Sequence, residues 1–378
     1  MRIAFVSDAA FPWHVGGLEA IERVEAKELA KTHDVHFFTM KWPGMRGSHF
    51  TIDNIHYHAY PGISLDRFYR HGRRSIRAAL GFAIGTFRLF RYRFDVVECN
   101  MFPILHIPIV KLYCKLTGCK MILDVVEVWE KRYWLDYLGA VIGRLAYAYV
   151  SYFINSADAY ISNSTITAKR LEGEGIAMSR TSIFAPILDD VKIESIKKKR
   201  SAKKRSNVVV FAGRMIKEKR LDKWLETIKE VKKTVPSVKG LIIGDGPEKE
   251  NIRKMVMDMS LEGTVEQRDF YEDQDDTYRA MLDSAIFLHM SEREGLSIIT
   301  LESLMLGIPV VLPSYSPMPE EVKGMCVVED EKDVPKAIAR ILKSKDRQAY
   351  LKNLKGLRSF FISGTVEFYD KLFRKMGL

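Results

Sequence analysis

What most restricts how this chain folds is an alternation, interrupted once. Short β-rich runs separated by helical patterns follow one another through RIAFVSD (2–8), DVHFFTM (34–40), IHYHAYP (55–61), FDVVECN (94–100), KMILDVVE (120–127), AYISNS (159–164) and TSIFAP (181–186). The alternation stops at IKKKRSAKKRSN (196–207), which carries seven basic residues between Lys197 and Arg205 and almost nothing apolar. It restarts with NVVVFAGR (207–214), KGLIIGDG (239–246), VEQRDF (265–270), AIFLHMS (285–291), PVVLPS (309–314) and MCVVED (325–330). Alternating strands and helices predict parallel sheets covered on both faces. Two such runs predict an α/β chain of two Rossmann-like domains, residues 1–190 and 207–360. A basic linker, 191–206, joins them, and a C-terminal helix, 361–378, packs back on the first. Ligands of such sheets bind beyond the carboxyl ends of the strands, so two facing sheets place a site in the cleft between them.

The net charge of +11 predicts an acidic partner: nucleic acid, anionic lipid or a phosphorylated substrate. No interleaved basic and aromatic motif of a recognised nucleic-acid binder is present, so nucleic acid is not expected. Cys99, Cys114, Cys119 and Cys326 form no CxxC pair, which predicts a reduced, cytosolic compartment. The opening MRIAFVSDAAFPW reads as a strand and loop, because Asp8 interrupts the apolar run a signal peptide needs. No stretch has the ~18 uncharged apolar residues of a membrane span; the nearest, 138–154, contains Arg144.

Four places carry chemistry. In VVVFAGRMIKEKR a strand runs into Gly213 and Arg214, and Lys219 follows at the expected start of a helix. A guanidinium fork and an ammonium at a strand tip converge readily on a phosphate. In LIIGDGPEKE, Gly244 and Gly246 bracket Asp245 at another strand end. This is a tight turn, a close approach for a ligand, or both, and it lacks the third glycine of a dinucleotide fingerprint. Gly16 and Gly17 precede a helix and expose backbone N–H groups to an anion, or serve loop geometry alone. SEREGLSIITLESLMLGIPVV (291–311) places Glu294 in a loop, the amides of Gly295, Leu296 and Ser297 at a helix start, and Glu302 within that helix. A carboxylate accepts two hydrogen bonds side by side, which suits the vicinal hydroxyls of a sugar or ribose. The plainer alternatives are a helix-start acid for Glu294 and a structural ion pair for Glu302.

Taken in order, these motifs resemble the retaining GT-B glycosyltransferases of family 4. Glu294 and Glu302 match the family's E-x7-E signature. Gly213, Arg214 and Lys219 match its G-R-x4-K, Gly244 to Pro247 its G-x-G-P, and Gly16-Gly17 its N-terminal glycine pair. The resemblance implies a GT-B architecture and transfer of a hexose-like sugar from a nucleotide-diphosphate sugar, with retention and without metal or other cofactor. It assigns Arg214 and Lys219 to the diphosphate, Glu294 to the sugar hydroxyls and Glu302 to the ribose. Charge on the departing phosphate is then met by fixed cations.

The first domain departs from the family pattern. Val126 stands where a histidine is common, and Glu98-Cys99-Asn100 replaces an H-x-H. His14, Asn100 and Glu127 are the candidates left on the acceptor side. The rival readings are an epimerase or phosphorylase on the same fold, and a non-catalytic partner subunit. Asp273-Gln274-Asp275 matches a metal-holding D-x-D but reads better as helix-start acids. Residues 66–94, with eight arginines among aromatics, read as a basic amphipathic helix that either packs its apolar face on the sheet or lies on an anionic membrane, and together with 138–154 they suggest a lipid-linked or glycan acceptor.

Overall fold

The computed structural model describes the chain except Val15, Gly16, 61–68, 71–72, 200–205, Phe270, Glu272, Glu294 and Gly295. It consists of two compact units. Unit 1 comprises residues 1–187 with 359–378, and unit 2 comprises 188–358.

Along the chain, unit 1 begins with β1 (Arg2–Val6), α1 (Gly17–Leu29), β2 (Asp34–Met40), β3 (His49–Ile52) and β4 (Ile55–Tyr60). A short hairpin follows, β5 (Tyr69–Arg70) with β6 (Arg73–Arg74), then α2 (Ile76–Thr86) and a 3-10 turn, Phe87–Arg91. Next come β7 (Val96–Asn100), α3 (Ile107–Thr117), β8 (Lys120–Val125), α4 (Lys131–Leu138) and α5 (Ala140–Ile154). The run closes with β9 (Ala159–Ser162), α6 (Thr165–Gly173) and β10 (Thr181–Ile183). The strands form one sheet in the order β10-β9-β8-β7-β1-β2-β4-β3, parallel except where β3 runs against β4.

Unit 2 runs α7 (Asp190–Lys198), β11 (Val208–Ala212), α8 (Leu221–Thr234), β12 (Lys239–Ile243), α9 (Lys249–Asp258), β13 (Val265–Arg268) and α10 (Gln274–Leu282). It continues with β14 (Ile286–Leu288), α11 (Ile298–Met305), β15 (Val310–Pro313), α12 (Glu320–Lys323), β16 (Val327–Glu329) and α13 (Val334–Lys343). Its six strands are all parallel, in the order β13-β12-β11-β14-β15-β16. The chain then returns to unit 1 with α14 (Thr365–Lys375).

The central strands are buried on both faces, as the continuous apolar runs predict. Side chains alternate across a strand, so residues paired in register share a face. Phe5 and Glu98 are paired, and Glu98 accepts from Tyr369 of α14, so α1 and α14 cover that face. Phe38 and Tyr60 lie on the other face, where Tyr60 packs on Phe82 of α2, and α3 lies beside α2.

Three expectations change. Residues 191–198 belong not to a linker but to α7, whose N-cap Asp189 accepts from the Lys192 amide and whose Ile193 and Ile196 are buried within unit 2. The lysines that suggested a solvated connection are the exposed face of this helix. The chain changes unit after Ile187 and again after Arg358. Residues 66–94 are not one amphipathic helix: within the described part they form the hairpin, α2 and the 3-10 turn.

Candidate functional site

In unit 2 the loops after β11, β12 and β14 are bonded to one another. Gly213 follows β11 and donates to Ile243 O, and Gly244 donates to Arg268 O. Met215 donates to Asp245 O at 2.7 Å, and Glu248 donates to Met215 O at 3.1 Å. Gly244 has φ +157°, and a Cβ there would stand 2.0 Å from Gly213 O; at Gly246, with φ +151°, it would stand 2.4 Å from Met215 O. These two glycines are where neighbouring loops touch backbone to backbone, a spacing no side chain tolerates. Pro247 falls in the turn before α9.

The G-R-x4-K loop also holds the segment after β14. Ser291 Oγ donates to Glu218 O at 3.0 Å, and the Glu292 amide donates to the same oxygen at 3.1 Å. Arg220, at the N-cap of α8 with φ +51°, bonds Asp222 and reaches Glu292 Oε2 at 2.8 Å. The Arg214 side chain is exposed, with no hydrogen bond or ion pair to the other described residues, while its carbonyl accepts from the Ile216 amide at 3.1 Å. Lys219 is half-buried and ends a 3-10 turn, Lys217–Lys219, ahead of α8. A cavity of about 350 Å³ beside this loop is lined by Lys217, Arg220, Asp222, Glu248, Asn251 and Glu292, and Arg214, Lys219 and Glu302 are not part of its wall.

Glu294 and Gly295 lie outside the described residues, so the structure places only the rest of that motif. Leu296 is half-buried, and Ser297 is the N-cap residue of α11, its Oγ accepting from Thr300 Oγ1 at 3.0 Å. Glu302 is buried in α11 and accepts from Tyr278 Oη of α10 at 2.5 Å. Burial pushes its carboxyl up to about 7, against the opposing pull of the Tyr278 hydrogen bond and the Lys192 charge. Lys192 itself is bonded to Asp275 at 2.6 Å, which raises its pKa. Asp273 caps α10, accepting from the Asp275 amide at 2.9 Å. The D-x-D acids are therefore an N-cap and an ion-pair partner.

In unit 1, Gly17 is the first residue of α1, while Gly16 lies outside the described residues. His14 Nδ1 stands 2.9 Å from Glu19 Oε1. Asn100 is buried at the tip of β7, its amide donating to Ser7 Oγ at 2.7 Å and Glu22 Oε1 at 3.2 Å. Glu127 is exposed beyond β8, and Val126 is half-buried, its carbonyl accepting from Thr167. A cavity of about 320 Å³ opens beside Glu127, lined by Trp129, Glu130, Arg132, Tyr133, Asp136 and Arg170.

Beneath Asn100 lies a group the sequence reading did not single out. Glu25, Glu98 and Asp124, all buried, bring carboxylate oxygens within 4.8 Å of one another, and Glu22 is buried beside them. Tyr369 Oη donates to Glu98 at 2.8 Å. Burial, then mutual repulsion, raises Glu22, Glu25 and Glu98 well above the carboxylate range, and burial carries Asp124 to about 7. One signal in the sequence marks them: Glu19, Glu22 and Glu25 recur every third residue in line with Ala26 and Leu29, the buried stripe of α1. The four cysteines are free and buried, and no helix among the described residues is long and apolar enough to cross a membrane.

Comparison with known proteins agrees with this architecture. The family model "Glycosyltransferase Family 4" matches residues 15–190, and "Glycosyl transferases group 1" matches residues 192–355. The O-antigen biosynthesis glycosyltransferase WclY of Escherichia coli is 32% identical over 111 residues, 29% of this chain and 31% of that protein. The chain spans 20–33% of the length of the curated relatives it matches. Among solved structures, Anabaena HepE in complex with UDP and glucose is similar over 99% of both chains, with a TM-score of 0.67 and 14% identity. Sucrose-phosphate synthase from Thermosynechococcus elongatus is similar over 99% of this chain and 98% of its own, with a TM-score of 0.71 and 13% identity. The fold is of the GT-B type, and with two glycosyltransferase models matched in succession along it, the chain belongs to the glycosyltransferases.

Proposed function

We propose that this chain transfers a hexose-like sugar from a nucleotide-diphosphate sugar to a lipid-linked or glycan acceptor, with retention and without a metal. The observation that carries the reading is the bonding of the G-R-x4-K loop to the start of the E-x7-E segment through Glu218 O. It holds two motifs that are far apart in sequence at adjacent strand tips. Arg214, its side chain exposed and without a described partner, and Lys219 meet the diphosphate. As the anomeric C–O bond breaks, charge collects on the departing phosphate, where fixed cations stabilise the transition state more than the ground state. Glu294 holds the sugar hydroxyls and Glu302 the ribose. Gly16 and Gly17 contribute backbone amides, Gly17 from the first turn of α1. HepE was crystallised with UDP and glucose, which supports a donor of this class.

On the acceptor side, Glu127 is the candidate with room beside it. Its cavity combines Trp129 and Tyr133 with acids and arginines, a mixture suited to a sugar's apolar face and hydroxyls. His14 is held by Glu19, and Asn100 is committed to Ser7 and Glu22.

The test is a panel of nucleotide-diphosphate sugars assayed for binding and slow hydrolysis. Binding of one donor, with turnover lost in Arg214→Ala and Glu294→Ala and kept under chelation, supports the reading. Wild-type turnover in either variant overturns the site. Sugar release or isomerisation that needs no acceptor would favour the epimerase or phosphorylase. A non-catalytic partner subunit is favoured by one feature, Val126 in place of the histidine; it predicts donor binding without turnover.

A further inference from the structure

On the face of unit 1 opposite α1 and α14, three helices leave apolar side chains uncovered. Along α2, Ile76, Leu80 and Ile84 are exposed at four-residue spacing, and Phe87 continues the stripe. On α3, Leu112 and Leu116 are exposed one turn apart. On α5, Val141, Ile142, Leu145 and Tyr152 are exposed, Val141 by 73%. The helices are neighbours: α2 packs beside α3, and Lys111 of α3 lies over the Tyr152 ring of α5 at 5.5 Å. The exposed stripes therefore belong to one surface.

Charge is what identifies the occupant. The four segments α2, Phe87–Arg91, α3 and α5 contain Arg77, Arg88, Arg91, Lys111, Lys115 and Arg144, and not one Asp or Glu. A second copy of this chain meeting that surface by the same face would bring twelve cations together with no anion from these segments. An anionic bilayer accepts both features at once, taking the apolar side chains into its interface and the cations among its headgroups.

We propose that α2, the 3-10 turn, α3 and α5 form a docking face for an anionic lipid bilayer. The face holds the protein on the membrane by short apolar insertions with basic flanks. The cavity beside Glu127 is walled by α4, which packs against α5. Docking by this face therefore sets that cavity close to the lipid surface, where a lipid-linked acceptor would be presented. This last step rests on the transferase reading; the docking itself does not.

The experiment is sedimentation of the full chain with vesicles of phosphatidylcholine, alone or with about a third phosphatidylglycerol. The expected result is binding to the anionic vesicles, at least about tenfold weaker without phosphatidylglycerol and weakened by salt. Ile84→Glu with Leu145→Glu should reduce binding at least about tenfold, with unchanged melting temperature and unchanged lipid-free hydrolysis of nucleotide sugar. Arg77→Glu with Lys115→Glu should do the same at low salt, and stands as the test if the first pair fails to fold. Equal binding by the variants, or no wild-type binding, overturns the proposal. So does a wild-type dimer that the Ile84→Glu, Leu145→Glu pair turns into a monomer without any vesicle binding, which would make the face a contact between copies. Vesicle binding with no hydrolysis of any nucleotide sugar sinks the transferase reading and leaves the docking face standing.

Discussion

In unit 2 the buried Glu302 has a hydroxyl donor in Tyr278 and feels the nearby charge of Lys192. In unit 1, Glu22, Glu25, Glu98 and Asp124 crowd one another, and among the described residues no lysine or arginine is paired with them. The first cluster is held among α7, α10 and α11, and the second between β7, β8 and the helices α1 and α14. Burial raises the carboxyl pKa in each, but only unit 2 offers a nearby cation to offset it. In unit 1, burial and mutual repulsion favour the protonated carboxyls. A buried carboxyl that is protonated is a hydrogen-bond donor as well as an acceptor. The same fold thus carries a buried acid near a cation and a group of buried acids with none paired to it among the described residues, for which different responses to pH and substitution are expected.

The sharpest way to break this contrast is through activity. Arg214→Ala should lower turnover by roughly a hundredfold or more with little change in melting temperature, because the side chain is exposed. Asp124→Asn should do the reverse, gaining stability. The folded state holds the Asp124 proton more tightly than the unfolded chain does, so this group's contribution is lost as pH rises from about 4 to about 7. The substitution should therefore change little near pH 4 and stabilise by on the order of 3 kcal/mol near pH 8. Urea midpoints measured across that range decide it; a destabilised variant at pH 8 would mean that Asp124 is ionised and partnered.

Next in size is Tyr278→Phe. Removing the donor raises the Glu302 pKa further, so the pH below which donor binding weakens should move upward. At pH 7 the KM for the nucleotide sugar should rise about tenfold with kcat less affected. An unchanged KM and pH profile would leave Glu302 a purely structural acid. The smallest effect is expected from Asp273→Ala, a lost N-cap worth about 1 kcal/mol. Turnover of this variant should respond to chelators as the wild type does; metal-dependent turnover lost on substitution would return Asp273 and Asp275 to the reaction.

The sheets were legible because Val, Ile and Phe runs buried on both faces leave few alternatives; the expected strands formed, mostly shorter at their ends. β3 was missed because HFTI is half exposed and pairs only at the sheet edge. The helix α7 was missed because its two buried isoleucines are outnumbered by lysines. In the site, positions set by one loop were readable: Gly213 and Arg214 follow β11, and Ser297 heads α11. Partnerships between elements were not. Nothing local announces that Tyr278 of α10 reaches Glu302, or that Arg220 reaches Glu292. The acids of α1 were hidden by a sound rule, since glutamate in a helix usually faces water.

The hydrogen bond from Tyr369 to Glu98 joins α14 to the central strands of unit 1 across the whole of unit 2. During synthesis, the first 187 residues emerge without the helix that covers Glu98. All of residues 188–358 must be made before that helix arrives. At about 5–20 residues per second the wait is on the order of ten to thirty seconds. Unit 2 is contiguous and can close as it leaves the ribosome, so the part made second is in a position to finish first. Until α14 docks, Glu98 lacks the Tyr369 hydroxyl that it accepts from in the folded chain. Docking of α14 therefore completes unit 1 and buries Tyr369, Leu372 and Phe373.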